Sequence, residues 1–355
     1  MQLLINLSFL LTKPTGISTY AFNLIPHLTS LNPTLLTSKK YPNYNCYSVP
    51  NNLTPADGTK GHLNRLIWTQ FQLPKIYQKL KSQLLFSPIP EAPLYTNCRF
   101  IVMSHDMIPL RFPKRFSPLT PYHLYYVPQV LNQAQHIICN SHATAKDLVD
   151  FFHIPSNKIT PIPLAYDSSH FQFLNLSTRN YFLYIGRQDP YKNLQRLITA
   201  FSALPNRNDY QLWLAGPYDK RYSPLLEIQT QELGINHLVK FLNYVPYDEL
   251  PIIINQAIAL VFPTLWEGFG LPVLEAMACG TPVITSNISS LPEVAGDAAI
   301  LINPYHIEEI TAAMKMIIND SETRKQLSEK GLKRVNQFSW EKTGLATVEV
   351  LKQYF

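Results

Sequence analysis

Glu267 and Glu275 stand eight positions apart, with Gly268-Phe269-Gly270-Leu271-Pro272 between them. The preceding run, Ile258 to Thr264, is short, apolar and β-rich, so it reads as a buried parallel strand. The order is strand, glycine loop, helix, with the loop at the carboxyl end of a strand, where α/β sheets bind ligands. Gly268 and Gly270 let the backbone approach a ligand, and a helix from Leu271 aims free N–H groups at an anion. Pro272 suits its first turn, where no N–H is needed. Glu275, one turn in, can accept hydrogen bonds from a sugar or ribose diol. A second cluster, Gly186-Arg187-Gln-Asp-Pro-Tyr-Lys192-Asn193, also follows an expected strand and precedes a helix. Its guanidinium fork and mobile ammonium make a complementary pair for a diphosphate.

Alternating short apolar runs and helical stretches predict a mostly parallel sheet in each half of the chain. In the first half, strands are expected over 2–9, 84–86, 99–103 and 136–140. Helices are expected over 17–31, over 63–84 with a break near Pro74, and over 143–152 with Ser141 as cap; residues 37–60 read as irregular. A polar, turn-rich boundary lies at about 165–180. A second series follows, with strands near 181–186, 210–215, 239–242, 258–264, 282–285 and 299–302, and a last helix opening at Ser339-Trp-Glu341. The expected domains are 1–170 and 171–340, with 341–355 packing back toward the first. Two doubly wound domains facing a cleft would suit the joining of two substrates.

The 355 residues are 46% hydrophobic and 15% charged, which excludes a disordered chain and fits two domains. Cys46, Cys98, Cys139 and Cys279 form no C-x-x-C pair or regular framework, so a reducing, cytoplasmic setting is expected. The apolar start lacks a basic region and a cleavage site and reads as a first strand. Residues 1–175 hold 14 basic and 6 acidic residues, a net of +8, while the remainder nets −2. The basic side chains are dispersed apart from Lys39-Lys40 and Arg111-Phe-Pro-Lys114-Arg115, which argues against nucleic acid. Peripheral contact with an anionic membrane face remains an expectation for the first half. No Asp-x-Asp pair lies at a strand end, so no metal and no cofactor are expected.

Gly186-Arg-x₄-Lys192-Asn, Glu267-Gly-Phe-Gly-Leu-Pro-x-x-Glu275-Ala-Met-Ala-x-Gly280-x-Pro and Phe338-Ser-Trp-Glu341 together resemble the retaining nucleotide-sugar glycosyltransferases of family 4, which have the GT-B fold. The first half matches more loosely, through Gly16, Ser104-His105-Asp106 and Asn140-Ser-His-Ala-Thr-Ala145. The resemblance implies that Arg187 and Lys192 hold the donor diphosphate, that Gly16 and Gly186 let backbone approach it, and that Glu275 binds the ribose. Glu267 with the backbone of Gly268, Phe269, Gly270 and Leu271 would bind the transferred sugar and distal phosphate. His105 would sit over the sugar, Asp106 on the acceptor side, and Val245 near the base. Two departures stand out: Pro14-Thr15-Gly16 where paired glycines are common, and Asn243 where glycine is common.

The expected activity is metal-independent retaining transfer from a nucleoside-diphosphate sugar to a glycan or lipid-linked glycan. The stretch His105-Asp-Met-Ile-Pro-Leu-x-Phe-Pro113 resembles mannosyltransferases of surface-polysaccharide assembly, which makes GDP-mannose the leading donor. The rival readings are a GT-B nucleotide-sugar epimerase and a non-catalytic nucleotide-sugar-binding subunit. A dinucleotide oxidoreductase is disfavoured because no G-x-G-x-x-G follows the first strand.

Overall fold

The computed structural model describes residues 2–11, 16–114, 117 and 119–355. Pro14, Thr15 and Arg115 lie outside the described residues. The chain divides into two compact units: Met1–Leu164 together with Ser339–Phe355, and Ala165–Phe338. The first unit thus ends six residues before the position read from sequence, and Ser339 and Trp340 go with it.

The first unit is built on a parallel sheet of β1 (Leu3–Asn6), β2 (Thr34–Thr37), β3 (Asn45–Ser48), β4 (Leu84–Ser87), β5 (Phe100–Ser104), β6 (His136–Cys139) and β7 (Ile159–Pro161). They lie in the order 3-2-1-4-5-6-7. Every residue of β1, β4, β5 and β6 is buried, as expected for strands covered by helices on both faces. The stretch 37–60 is a correction: it contains β3 and the start of a helix at Gly58. β3 is an edge strand, exposed for most of its length, and its pairing to β2 rather than any apolar pattern makes it a strand. The helix expected over 63–84 is two helices, Gly58–Phe71 and Leu73–Lys79, with Leu84 already in β4. The segment 119–133 is also helical, with a π-type turn at Tyr122–Tyr126.

The second unit repeats the plan with β8 (Tyr181–Ile185), β9 (Gln211–Ala215), β10 (Val239–Asn243), β11 (Ala259–Phe262), β12 (Val283–Ser286) and β13 (Ile300–Ile302), ordered 10-9-8-11-12-13. Strand order reverses between β1 and β4 in one sheet and between β8 and β11 in the other. Loops leaving such a pair diverge to opposite faces and open a crevice at the strands' carboxyl ends. The sequence therefore sets its two charged loops on the two strands that flank the second reversal.

Candidate active site

In the second unit, β8 runs into Gly186, whose N–H donates to Ala215 O at 2.9 Å. Gly186 has φ 149°, and a side chain there would meet the Tyr184 hydroxyl at 2.7 Å. The Tyr184 phenol is buried and donates to Arg187 O at 2.7 Å, so it fixes the backbone as it leaves the strand. Burial and the carboxylate of Glu267 hold that phenol protonated. Arg187 is the outward member of the loop: its side chain is 64% exposed, and its Nε lies 3.0 Å from Oδ2 of the buried Asp189. Lys192 closes a short turn, Pro190–Lys192, and is turned inward. Its Nζ lies 2.5 Å from Glu267 Oε1, with both side chains about nine-tenths buried. The ammonium also sits 5.1 Å and 5.5 Å from the Tyr191 and Phe262 ring centres. Asn193, in left-handed conformation at φ 65°, ties the loop to β11 by donating to Pro263 O at 2.9 Å.

The loop after β11 is held from the far side. Ser290 Oγ lies 3.0 Å from Glu267 O and 2.7 Å from Phe269 O, while Ser289 Oγ accepts the Glu267 N–H at 3.2 Å. Gly268 is buried, and the Phe269 ring packs edge-on against Phe338 with centroids 6.0 Å apart. Gly270 adopts φ 109°, where a side chain would strike Leu291 at 2.7 Å, and the helix Leu271–Ala278 starts directly after it. Leu271 is half-buried at that N-terminus. Glu275 lies one turn in, half-buried, and its carboxylate has no hydrogen-bond or ion-pair partner among the described residues. Burial pushes its carboxyl up to about 7. Near the end of β10, Val245 is half-buried between exposed Tyr244 and Tyr247. The Tyr247 ring stacks on His170 at 3.9 Å. Asn243 stands at φ 55°, which explains its place in a position that often takes glycine: asparagine tolerates the left-handed region better than other side chains.

In the first unit, His105 follows β5. Its Nε2 lies 2.9 Å from the carbonyl oxygen of Pro88, the residue after β4, and its ring meets Tyr20 edge-on at 5.1 Å. It therefore stands beside the β1–β4 reversal, between a residue that follows β4 and one on the first helix. Since a carbonyl only accepts, Nε2 carries the proton and Nδ1 is left as an acceptor. Burial depresses the imidazole to about 4, so it is neutral near pH 7. Asp106 Oδ1 accepts the Ile108 N–H at 2.9 Å and shapes the following turn. Gly16 is the exposed first residue of the helix Gly16–Leu24.

The second unit thus brings Gly186, Arg187, Lys192 and Glu267 into one connected cluster, with Gly268, Gly270 and Leu271 on the same loop. Among the described residues, no side-chain hydrogen bond or ion pair joins Glu275 or Val245 to it. Sequence reasoning missed Tyr184, Asp189, Ser289 and Ser290. Asp189 and Tyr184, two and three residues from Arg187, had a signal in their nearness to it; Ser289 and Ser290 act on Glu267 and Phe269, partners that only the fold brings near.

Residues 166–334 match the family described as Glycosyl transferases group 1, and residues 14–170 match Glycosyltransferase Family 4. The chain belongs to the family 4 glycosyltransferases. It is 34% identical to O-antigen chain mannosyltransferase B of Escherichia coli over 238 residues, 62% of this chain and 61% of that protein. It is 27% identical to O-antigen chain mannosyltransferase RfbU of Salmonella typhimurium over 328 residues, 89% of this chain and 90% of that one. Thus the first of these matches spans under two thirds of its relative's length. Anabaena HepE, solved in complex with UDP and glucose, superposes with a TM-score of 0.77 at 17% identity over 99% of this chain and all of that one. That likeness fixes the family fold as GT-B, two Rossmann-like units. Among the described residues no helix is long and apolar enough to cross a membrane.

Proposed function

We propose that this family 4 glycosyltransferase moves mannose from a nucleoside-diphosphate donor, with GDP-mannose as first choice, to a hydroxyl of a glycan or lipid-linked glycan with retention. The observation that carries the reading is the Lys192–Glu267 pair, 2.5 Å apart at the β8–β11 reversal with Arg187 on the same loop. Breaking a sugar–phosphate bond builds negative charge on the departing diphosphate. Arg187, Lys192 and the N–H groups of Leu271 onward supply the opposite charge, and preorganised charge of this kind is a large catalytic contribution. These groups do the work a divalent ion does elsewhere, so transfer is expected to survive a chelator. Glu267 holds the Lys192 ammonium and offers its second oxygen to a sugar hydroxyl. Glu275 offers acceptors to the ribose. Neutral His105 presents Nδ1 to a sugar hydroxyl, and the leaving phosphate oxygen takes the acceptor's proton on the same face. The mannosyltransferase relatives support the sugar, and the UDP and glucose bound by HepE support a nucleotide-sugar donor.

Thermal shift against UDP, GDP, ADP, CDP and dTDP tests the site. At a hundred times its dissociation constant, the true nucleotide adds about 2.7 kcal/mol to wild type and little to Lys192→Ala. Release of mannose from GDP-mannose that rises with added acceptor glycan, with or without chelator, completes the test. Stabilisation of Lys192→Ala equal to wild type would remove the diphosphate role. Acceptor-independent consumption of the donor would point to an epimerase.

A further inference from the structure

In the second unit, β9 departs from the apolar run of a strand covered on both faces. Leu212 and Leu214 are buried, but Gln211 and Trp213, which share the other face, are only half-buried. Trp213 pairs with exposed Lys240 on β10, and Gln211 with Tyr181 on β8, so this corner of the sheet is open to solvent on one side. A cavity of about 260 Å³ lies there, with Arg179, Asn180, Asn208, Asp209, Gln211 and Trp213 in its wall. Its residues precede or open β8 and β9, whereas the donor loops leave the carboxyl ends of β8 and β11. β8 is five residues long, so at ~3.3 Å per residue the two ends lie about 15 Å apart. The volume is just under the roughly 300 Å³ at which drug-sized ligand sites begin, and suits a small ring rather than a protein surface.

The wall is held in place yet has unused hydrogen-bonding capacity. The Trp213 ring stacks on Tyr181, with centroids 3.8 Å and planes 6° apart, and its indole N–H donates to Gln211 Oε1 at 2.9 Å. The Arg179 guanidinium and the Lys240 ammonium stand 5.7 Å and 5.2 Å from the ring centre. Neither cation has a carboxylate partner among the described residues, and the side chains of Asn180, Asn208 and Asp209 make no hydrogen bond there. Guanidinium and amide groups donate, while amide and carboxylate oxygens accept, and each of these planar groups offers two polar atoms side by side. That mixture matches the neighbouring hydroxyls of a pyranose, which donate and accept at once, and an indole packs well against the sugar's C–H face. A phosphate or nucleotide would set its charge against Asp209, and an apolar ligand would strand the polar wall.

We propose that Arg179, Asn180, Asn208, Asp209, Gln211 and Trp213 form a second, non-catalytic site that binds a neutral glycan segment. The choice of mannose as its sugar rests on the transfer proposed above; the site itself stands on its own wall. A glycan held there stays at high local concentration around the enzyme without entering the donor crevice.

Titration of the full chain with α-linked mannotetraose, and with tetragalacturonate as an anionic glycan, tests it by indole fluorescence. Two variants locate the response: Trp213→Phe, which removes the reporting indole, and Asn208→Ala with Asp209→Ala, which strips the rim. Mannotetraose is expected to change wild-type fluorescence, and Trp213→Phe is expected to lose that change. The rim variant is expected to bind at least about tenfold more weakly. It keeps the wild-type melting temperature and nucleoside-diphosphate shift, because both altered side chains are exposed, so its loss of glycan is not loss of fold. No response in wild type, or an undiminished one in either variant, would overturn the proposal. Tighter binding of tetragalacturonate than of mannotetraose would overturn it in favour of an acidic glycan. Glycan silence with intact nucleotide stabilisation would sink this site alone. A glycan response that the variants abolish, in a protein that no nucleoside diphosphate stabilises, would support the site and sink the transferase reading instead.

Discussion

At the residue scale, the second unit holds one carboxylate that is paired and one that is not, and their environments separate their tasks. Glu267 is neutralised by Lys192 at 2.5 Å. Glu275 has burial against it and no cation to offset it, so its carboxyl rises to about 7. A raised carboxyl stabilises the fold fully below the ordinary carboxylate range, and that contribution is lost as pH rises through about 7. In the ligand-free protein, Glu275→Gln removes the ionisation while keeping the shape. The variant is therefore expected to match wild type near pH 4.5 and to exceed it by on the order of 1–3 kcal/mol near pH 8. Denaturant melts across that range measure the gap, and a gap that stays constant with pH would show that Glu275 is not the group titrating. His105 obeys the opposite sign. Its imidazole is depressed to about 4, so the stability that neutral His105 contributes is present above its ordinary value near 6.5 and is lost as pH falls through 4. Its ring resonances are expected to stay those of neutral imidazole down to about pH 5 in an NMR titration. A midpoint near the ordinary value would return His105 to an exposed setting.

At the scale of elements, the legible parts were those whose sequence carries their own reason. The strands covered on both faces are unbroken apolar runs, and the site loops are marked by glycines and isolated charges in a chain of low charge. Two helix caps were equally plain: Ser141 accepts the Thr144 N–H at 3.0 Å, and Ser339 accepts the Lys342 N–H at 3.2 Å. What escaped depends on partners far along the chain. Asn45-Cys-Tyr-Ser48 is a strand only because β2 lies beside it, and the helical segment 119–133 carries Pro121 and Pro128, which read as breaks. Asn243 shows how a departure in sequence can be conservative in conformation. At φ 55° it supports the bulge where β10 meets β9, and its carbonyl accepts the Gly216 N–H at 2.8 Å. Asn243→Gly should leave stability within about 0.5 kcal/mol, while Asn243→Val should cost about 1–2 kcal/mol, because a β-branched side chain resists the left-handed region. Equal melts for the two variants would mean the backbone relaxes out of that conformation.

At the scale of the whole molecule, connectivity matters as much as either sheet. The first unit is completed only when the chain returns to it at Ser339. The final helix, Trp340–Lys352, buries Thr347, Val348, Val350 and Leu351, and Gly344 lies so close to His27 that a side chain there would meet His27 Cβ at 2.2 Å. Thr343 Oγ1 donates to Pro163 O at 2.8 Å, and the Tyr354 hydroxyl lies 2.8 Å from His136 Nδ1 on β6. Loss of a single buried leucine typically costs about 2–5 kcal/mol, against a total domain stability of about 5–15 kcal/mol. Removing residues 339–355 takes away several such contacts at once and exposes the apolar surface beneath them. The first unit is therefore expected to lose its cooperative transition. The second, whose sheet uses only residues from Tyr181 to Ile302, is expected to keep its own melt and its stabilisation by nucleoside diphosphate. Calorimetry of the truncated chain with and without nucleotide separates the two. If both transitions survive, the last helix is dispensable packing. If both vanish together, the second unit depends on the first for its stability, and the donor site cannot be studied apart from it.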